Sequence, residues 1–246
     1  MAERHALVTG GSRGIGRAIA AALTAAGCRV TIFGRTAATL DAAVAEGVAA
    51  AGRAVDVTDP DALAAAVAAI GPVDILVNNA GGAATAPFLK TDRETLRRMM
   101  ALNVESAAEA TRACLPGMTE RGFGRIINVA STAGLKGYAY VSAYVAAKHA
   151  VVGLTRALAI ELAPTGVTVN ALCPGFTDTD LVADSVATIV AKTGRSAEAA
   201  RAHFEKSNPL GRLIRPEEVA DAAAWLAGPG AGAVTGQCIV IAGGEL

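Results

Sequence analysis

The sequence predicts an α/β protein built on a doubly wound, mainly parallel sheet with helices on both faces. Seven short apolar runs alternate with longer stretches of helical pattern along the 246 residues, and this alternation indicates repeated βαβ units. Hydrophobic residues make up 52% of the chain and charged residues 18%, which suits strands that are buried on both faces. Chains of this length often fold around one continuous core, so we expect a single domain over residues 1–246.

The apolar runs mark the expected strands in chain order. They are HALVTG, RVTIFG, RAVDV, VDILVNN, GRIINVAS, GVTVNALC and QCIVIAG. In such sheets the ligand binds at the carboxyl ends of the strands. One segment departs from the alternation, because an amphipathic stretch and then a polar stretch fill about residues 176–215. We expect this segment to be a helical flap over the active face, and the alternative is a surface decoration.

Charge and cysteine usage bear on partners and location. The formal net charge is zero and the 22 Lys and Arg residues are scattered, so we expect neither a nucleic-acid partner nor a membrane partner. The first residues lack the pattern of a signal peptide. Cys28, Cys114, Cys173 and Cys238 have no CxxC spacing, so we expect free thiols and a cytoplasmic location. The three histidines are far apart in sequence, and no metal site is expected.

A glycine-rich turn, residues 10–16, follows the first expected strand and leads into a helix that ends near Gly27. Its glycines allow a tight turn and a close approach to a ligand, and the helix start directs free N–H groups at a pyrophosphate. No Lys-Ser or Lys-Thr pair follows, which argues against a P-loop. We therefore predict a dinucleotide site. Its residues in this glycine turn are Gly10, Ser12, Arg13, Gly14, Ile15 and Gly16.

The end of the second expected strand bears on the choice of cofactor. A fold that prefers NAD usually presents an acidic side chain there to the ribose 2′-hydroxyl. This chain has Gly34 and Arg35 instead, and Arg13 lies within the glycine turn. Two guanidiniums could hold a 2′-phosphate by charge-assisted hydrogen bonds, so we predict NADP(H) over NAD(H), with NAD(H) still usable. The alternative is that both arginines are solvated surface charges.

A tyrosine and a lysine lie one helical turn apart in the stretch SAYVAAKHAV. Tyr144 and Lys148 occupy positions i and i+4, which share one face of a helix. A phenol titrates near ~10 and exchanges protons poorly at neutral pH unless a nearby cation favours the phenolate. We expect Lys148 to lower the pKa of Tyr144 in this way. Ser131 ends the run GRIINVAS and could donate a hydrogen bond to a developing alkoxide.

Several motifs follow one another along the chain. They are TGGSRGIG, the pair Asp56-Val57, NNAG at 78–81, Asn103, Ser131, Tyr144 with Lys148, and the pair Pro174-Gly175. In this order they resemble the short-chain dehydrogenase/reductase family over essentially the whole chain. The resemblance implies a Rossmann-type sheet of strand order 3-2-1-4-5-6-7 and an enzyme that interconverts a ketone and a secondary alcohol with a nicotinamide cofactor.

The resemblance also implies roles for single residues. In the family the tyrosine gives and takes the proton, the lysine lowers its pKa and binds the nicotinamide ribose, the serine steadies the substrate oxygen, and an asparagine helps to hold a water. The catalytic residues are then Tyr144, Lys148, Ser131 and Asn103. The implied cofactor contacts are Asp56 and Val57 at the adenine, Asn79, Ala80 and Gly81 at the ribose and pyrophosphate, Tyr144 and Lys148, and Pro174, Gly175, Thr177 and Thr179 near the carboxamide. Thr179 matches the family pattern better than Thr177.

The substrate is expected to meet the loop TAGLKGYAYVS, residues 132–142, which we call the substrate loop, and the flap. The stretch KHAVVGLTRALAIELAPTGVTVNALCPGF is similar to 3-oxoacyl thioester reductases and aromatic-polyketide ketoreductases. We therefore expect NADPH-dependent reduction of a 3-oxoacyl thioester or a similar small-molecule ketone. The alternatives are an NAD-dependent alcohol or 3-hydroxyacyl-CoA dehydrogenase and, from another class, a catalytically silent nucleotide-binding regulator.

Two further expectations concern larger partners. The resemblance implies a homotetramer, built through the helical stretches Arg93–Arg121 and Tyr140–Pro164 and through the last strand. A thioester carrier would bring phosphates. The basic residues that could meet them, or could equally be solvated, are Lys136, Arg195, Arg201 and Arg212.

Overall fold

The structure, a computed structural model, describes residues 4–246 except for the side chain of Lys192. Parallel strands form one seven-stranded sheet in the order β3-β2-β1-β4-β5-β6-β7. The strands are His5–Thr9 (β1), Arg29–Gly34 (β2), Ala51–Ala54 (β3), Ile75–Asn78 (β4), Gly124–Val129 (β5), Val167–Pro174 (β6) and Cys238–Ile241 (β7). The predicted fold class and strand order are confirmed.

Helices connect the strands and cover both faces of the sheet. They are Gly14–Ala25 (α1), Ala37–Ala45 (α2), Pro60–Ile70 (α3), Arg93–Met100 (α4), Ser106–Glu120 (α5), Ser142–Leu162 (α6), Asp180–Thr193 (α7), Ala197–Lys206 (α8) and Pro216–Ala227 (α9). A π-helical turn, Ala101–Glu105, joins α4 to α5. Within residues 4–246, no helix combines the length and the apolar character that crossing a membrane requires.

The core consists of two apolar layers, one on each face of the sheet. On β1, Ala6 and Val8 pack into the layer under α1 and α9, whereas Leu7 packs into the layer under α3 and α5. Successive side chains of a strand point to opposite faces, so a strand that is covered on both faces needs an apolar residue at every position. This requirement explains why the strands are visible in the sequence as continuous apolar runs.

The third strand begins and ends earlier than the apolar run RAVDV predicts. Its backbone pairs with β2 from Ala51, opposite Thr31, to Ala54, opposite Gly34. Every residue of β3 is exposed, since it lies at the edge of the sheet. Val55 and Val57 follow the strand and are buried in the layer under α3 and α5. The apolar pattern therefore marked the buried residues that follow the strand and missed its exposed first residues.

The segment predicted as a flap, residues 176–215, contains α7 and α8. Val182, Phe204 and Leu213 form a small apolar cluster of their own, and Phe176 packs against it. The segment is tied back to the chain by Ile214, whose backbone N–H donates to the carbonyl of Phe176 at 2.9 Å. Because this cluster is separate from the two main layers, the segment can take a shape that the sheet does not dictate.

Candidate active site

The residues predicted for the site lie together at the carboxyl ends of the strands. The glycine turn follows β1, Arg35 follows β2, Asp56 and Val57 come soon after β3, residues 79–81 follow β4, Ser131 comes after β5, and Pro174 ends β6. In a parallel sheet these ends share one edge. The structure thus brings residues that are far apart in sequence to one side of the molecule.

The glycine turn is shaped by positions that a side chain could not occupy. Gly10 and Gly14 have φ of +64° and +52°, a region that favours glycine. A Cβ on Gly16 would lie 2.3 Å from Nδ2 of Asn79 and 2.3 Å from the carbonyl oxygen of Gly10. Helix α1 begins at Gly14, and no side chain caps its first N–H groups. A helix start of this kind is suited to an anion such as a pyrophosphate.

Asn79 links the glycine turn to the loop after β4. Its Nδ2 donates to the carbonyl oxygens of Thr9 and Gly10, at 3.0 and 3.1 Å. In return, Oγ1 of Thr9 accepts the backbone N–H groups of Asn79 and Ala80, each at 3.0 Å. The side chain of Asn79 therefore positions the turn. Sequence analysis did not single out Thr9, although it immediately precedes the turn.

The two arginines predicted at a 2′-phosphate have different surroundings. Arg35 is exposed after β2. Hydrogen bonds from Thr58 hold the pKa of Asp56 below its usual value, and the charge of Arg35 lowers it further, so Arg35 lies at the side predicted for the adenine. Arg13 instead approaches Asp180 at the start of α7, at 3.7 Å, with both side chains mostly exposed. An exposed pair of this kind is weak, so Arg13 remains available to an anion.

Lys148 is buried in the middle of the site. Its side chain lies on α6, the residue is 5% exposed, and its Nζ donates to the carbonyl oxygen of Val129 at 2.8 Å. Nζ also lies 5.7 Å from the centre of the Tyr144 ring. Burial lowers the pKa of Lys148 to about 8, and the nearby Cys173 thiol acts in the opposite direction. The predicted i, i+4 arrangement of tyrosine and lysine is present.

The expected lowering of the Tyr144 pKa by Lys148 stays a prediction. Burial raises the pKa of the Tyr144 phenol above its usual value, and a hydrogen bond with Ser131 is the influence that lowers it. The Lys148 ammonium donates to the Val129 carbonyl and lies on the ring side of the tyrosine. The Ser131 oxygen also accepts the backbone N–H of Ala133 at 3.0 Å. Ser131 is therefore held in place beside the phenol.

Asn103 lies in the π-helical turn between α4 and α5 and is buried. Its Nδ2 donates to the carbonyl oxygens of Met99 and Gly82, at 3.0 and 3.1 Å, and its Oδ1 accepts the Gly82 N–H at 3.3 Å. A Cβ on Gly81 would lie 2.8 Å from this Oδ1 and 3.6 Å from Nζ of Lys148. Asn103 and Lys148 thus flank Gly81 closely. A residue with a side chain would not fit at this position without displacing Asn103.

The loop after β6 brings two threonines to the site. Thr177 is buried, and its hydroxyl donates to the Gly175 carbonyl at 3.0 Å. The hydroxyl of Thr179 donates to the Thr177 carbonyl at 3.3 Å. The methyl group of Thr179 lies 3.2 Å from the position of a Cβ on Gly14. Thr179, near the start of the segment predicted as a flap, therefore contacts the glycine turn.

Sequence analysis did not single out Tyr138 and Glu245, which meet at the substrate loop. Tyr138, in the substrate loop, donates its hydroxyl to Oε1 of Glu245 at 2.5 Å and lies 2.7 Å from Oγ1 of Thr132. Its ring meets the ring of Phe176 edge to face, with centres 6.0 Å apart. Sequence analysis could have found Tyr138, because it is an aromatic residue in a loop that was expected to meet the substrate. Glu245 has no local signal, because its partners are more than a hundred residues away.

Most of the basic residues considered for carrier phosphates are paired with acids. Arg201 bonds Asp178 at 2.8 Å and also Glu205. Arg212 bonds Glu218 at 2.7 Å, and Lys136 bonds Glu245 at 3.1 Å. Arg195 is exposed. These pairs weaken the case for a phosphate site at Lys136, Arg201 or Arg212.

The side chains offer little for metal chemistry. Within residues 4–246, no group of three or more His, Cys, Asp or Glu side chains could hold a metal ion. The four cysteines form no disulfide. Cys173 and Cys238, on the neighbouring strands β6 and β7, are in contact, and burial raises the pKa of Cys173 to about 12. A thiol of this kind stays protonated at neutral pH.

Comparisons with known proteins agree with this fold and arrangement. Residues 4–189 match the family model described as short chain dehydrogenase. A Streptomyces coelicolor protein with the provisional name ketoacyl reductase is 42% identical, over 97% of this chain and 95% of that protein. A D-beta-hydroxybutyrate dehydrogenase from Cupriavidus necator is 41% identical, over 98% of this chain and 97% of that protein.

A solved structure extends the agreement to three dimensions. The crystal structure of an actinorhodin polyketide ketoreductase variant with NADPH superimposes with a TM-score of 0.95 at 40% identity, covering 99% of this chain and 97% of that one. The family model covers more than half of the chain, and the relatives match nearly all of it. The chain therefore belongs to the short-chain dehydrogenase family and is an oxidoreductase that interconverts a ketone and a secondary alcohol.

Proposed function

We propose that this protein uses NADPH to reduce the ketone of a 3-oxoacyl thioester, or of a related compound, to a secondary alcohol. The observation that carries the proposal is that Tyr144 meets Ser131 and Lys148, with Lys148 next to Gly81 in the loop after β4. Two of the similar proteins carry ketoreductase names, and one of them was solved with NADPH. These names support the direction of the reaction and the choice of cofactor.

The cofactor would lie along the strand ends. Its pyrophosphate suits the uncapped start of α1 and the glycine turn, its adenine suits Asp56 and Val57, and its 2′-phosphate suits the guanidinium groups of Arg35 and Arg13. When bound, the reduced nicotinamide supplies the hydride. Proton donation and the positioning of the substrate would be carried out by side chains of the protein.

Tyr144 would act as the acid in the reduction. A phenol is protonated at neutral pH, so Tyr144 can give its proton to the substrate oxygen. Ser131 would donate a hydrogen bond to the same oxygen as negative charge develops there. Lys148 would bind the nicotinamide ribose, and its positive charge would favour the phenolate that remains after proton transfer. Asn103 would hold the loop at Gly81 and thereby keep Lys148 in position.

The substrate side favours an apolar group next to the ketone. Rings of Phe176 and Tyr138 meet there, and the Tyr138 hydroxyl is already bonded to Glu245 and Thr132. A sugar would require free hydrogen-bonding groups along its whole length. An acyl chain or an aromatic ring requires surface of this apolar kind.

We also propose that the protein is a homotetramer in the cytoplasm. The stretches implied in subunit contact carry exposed apolar side chains, including Leu96 on α4, Ile160 on α6 and Val240 on β7. Groups of this kind are often covered by a partner. Cysteines without disulfides suit a reducing compartment. Light scattering on the purified protein would give its mass, and a monomeric mass would reject the tetramer.

A kinetic panel tests the function. The panel measures oxidation of NADPH or NADH with acetoacetyl and longer 3-oxoacyl thioesters of N-acetylcysteamine. We expect turnover of several thioesters and a kcat/KM for NADPH at least about tenfold above that for NADH, since each ~1.4 kcal/mol of cofactor binding gives tenfold. If no thioester is reduced, the proposed substrate class is rejected. A clear preference for NADH would reject the cofactor assignment.

A second candidate is the reverse reaction, oxidation of a 3-hydroxy acid with NAD. The similarity to a D-beta-hydroxybutyrate dehydrogenase favours it. Turnover of 3-hydroxybutyrate with NAD⁺ that exceeds the reduction of every 3-oxo thioester would select this candidate. The alternative of a catalytically silent nucleotide-binding regulator is not favoured, because the chain belongs to an oxidoreductase family.

A further inference from the structure

A buried carboxylate from the segment after β7 reaches the substrate loop. The side chain of Glu245 is 5% exposed and pairs with Nζ of Lys136 at 3.1 Å. It also accepts the hydroxyl of Tyr138 at 2.5 Å. Burying a carboxylate is costly unless hydrogen bonds and an opposite charge satisfy it. Both partners come from one loop, so the energy gained by satisfying Glu245 depends on the position of that loop.

Tyr138 lies between the reacting groups and the flap. Thr132, the residue after Ser131, shares a 2.7 Å hydrogen bond with its hydroxyl. On the other side its ring meets Phe176, and Phe176 in turn meets Phe204 of α8 with ring centres 4.9 Å apart. Burial and the bond to Glu245 raise the pKa of Tyr138, and the nearby Tyr144 adds to the rise. Tyr138 is therefore close to the catalytic phenol, and it keeps its proton for Glu245.

The ends of the substrate loop are held separately. Its first residues form a tight turn on Ser131, and the Gly134 N–H donates to the Ser131 carbonyl at 2.9 Å. Near its other end, the Tyr140 carbonyl accepts the N–H of Ala86 at 2.8 Å. Tyr140 has φ of +67°, a conformation that is strained for a residue with a side chain. The middle of the loop, between these points, is anchored to the rest of the protein through Lys136 and Tyr138.

We propose that Glu245 is a positioning residue that sets substrate selectivity by holding Tyr138 as a wall between Tyr144 and Phe176. In this position the Tyr138 side chain limits the space beside the ketone. A ketone with a short chain is then held firmly, and a ketone with a bulky group next to the carbonyl is excluded. The selectivity part rests on the proposed ketoreductase function. The positional part does not, because it concerns the free protein.

The kinetic test compares Glu245→Ala, Glu245→Gln and Tyr138→Phe with the parent. The probes are the acetoacetyl and the 3-oxodecanoyl thioesters of N-acetylcysteamine. For Glu245→Ala we expect KM for the acetoacetyl probe to rise about tenfold, a change equal to ~1.4 kcal/mol of lost binding. We expect kcat to stay within about twofold and the longer probe to be used as well as before or better. Glu245→Gln keeps an oxygen acceptor for Tyr138 and should fall between the parent and Glu245→Ala.

The same variants can be combined to show that the two residues act together. If Glu245 acts through the Tyr138 hydroxyl, adding Glu245→Ala to Tyr138→Phe should change selectivity less than Glu245→Ala does in the parent. Glu217→Ala, which removes an exposed carboxylate on α9, is the control and should leave selectivity unchanged. A fall in kcat/KM by the same factor for both probes in Glu245→Ala would overturn the selectivity role.

Hydrogen exchange of the free protein tests the anchor without any turnover. In Glu245→Ala, amides of the middle of the substrate loop should exchange about tenfold faster, whereas amides of β5 should not change, because local opening is governed by local contacts. Unchanged exchange in the loop would overturn the anchor, whatever the activity. If the parent reduces no thioester but loop exchange responds, the proposed function fails and the anchor stands.

Discussion

The half of the site that we propose for the dinucleotide, the dinucleotide half, and the half that we propose for the substrate, the substrate half, are held by different kinds of contact. Around the glycine turn the contacts involve backbone atoms, as when Asn79 bonds the carbonyls of Thr9 and Gly10. On the substrate side the contacts join side chains, as when Tyr138 bonds Glu245 and Arg201 bonds Asp178. Both halves lie at one edge of the same sheet.

This difference separates what binding of a dinucleotide requires from what selection of a substrate requires. A pyrophosphate needs N–H groups and close approach, which glycine and a helix start provide whatever the side chains nearby. A substrate is selected by the shape and polarity of side chains, which single substitutions alter without moving the backbone. We therefore expect changes in the substrate half to alter chemistry and selectivity, and changes in the dinucleotide half to alter stability and cofactor binding.

The largest expected effect separates chemistry from binding. Tyr144→Phe removes one hydroxyl in the substrate half and should lower kcat by about 10²-fold to 10⁴-fold, the contribution of a positioned proton donor. Binding of NADPH, followed by fluorescence titration, should change little because the ring and the glycine turn remain. Tyr138→Phe is the matched control, since it removes a neighbouring phenol that we do not place in proton transfer. A Tyr144→Phe protein with parental kcat would remove this tyrosine from the mechanism.

A smaller effect is expected from the buried ammonium group between the two halves. The pKa of Lys148 is lowered to about 8 by burial, whereas in the unfolded chain it is near ~10.4. Between these values the unfolded state binds more protons, so the contribution of Lys148 to stability rises with pH in this window. Relative to Lys148→Met, the parent should gain on the order of 2–3 kcal/mol of unfolding free energy between about pH 7 and about pH 10.

Urea unfolding of both proteins at several pH values measures this difference. Comparing parent and variant removes the titration of other groups that the two proteins share. A difference that stays flat with pH would contradict the lowered pKa. A difference that falls with rising pH would mean that the ammonium form is favoured in the folded protein.

The smallest expected effect is in the dinucleotide half. Gly16→Ala would place a Cβ 2.3 Å from Asn79 and from the Gly10 carbonyl, so we expect a loss of about 1–3 kcal/mol of stability from overpacking. Binding of NADPH should weaken with it. Gly230→Ala is the control, since it lies outside the stretches proposed for subunit contact and its Cβ would have no neighbouring atom within 4 Å among the described residues. It should be neutral or stabilising by up to ~1 kcal/mol, and a comparable loss in both variants would contradict the argument from close approach.

The positions that sequence analysis predicted well depend on short-range rules. Continuous apolar runs located the buried strands, because a doubly covered strand must be apolar at every position. The spacing of Tyr144 and Lys148 placed both on one helix face. Residues just after strands were expected at one edge, and the structure places them there. Their catalytic and cofactor roles stay predictions until the variants are measured.

The errors and omissions concern properties that depend on distant neighbours. The start of β3 was missed because an edge strand needs no apolar side chains. Only the backbone pairing of Ala51 with Thr31 shows that Ala51 belongs to the strand. The burial that acts to raise the pKa of Tyr144 was not considered from the sequence. Burial is a property of the whole packed core, and the sequence around Tyr144 does not contain it.

The sequence by itself determined the fold class, the strand order through its family motifs, and the place of the glycine turn. These follow from residue types at short spacing, where backbone geometry leaves few choices. Only the tertiary structure decided that Thr9 supports the turn, that Lys148 faces Val129, and that Glu245 reaches Tyr138. Those contacts join residues from 19 to 107 positions apart. Such residues come into contact only when the sheet brings the strand ends together.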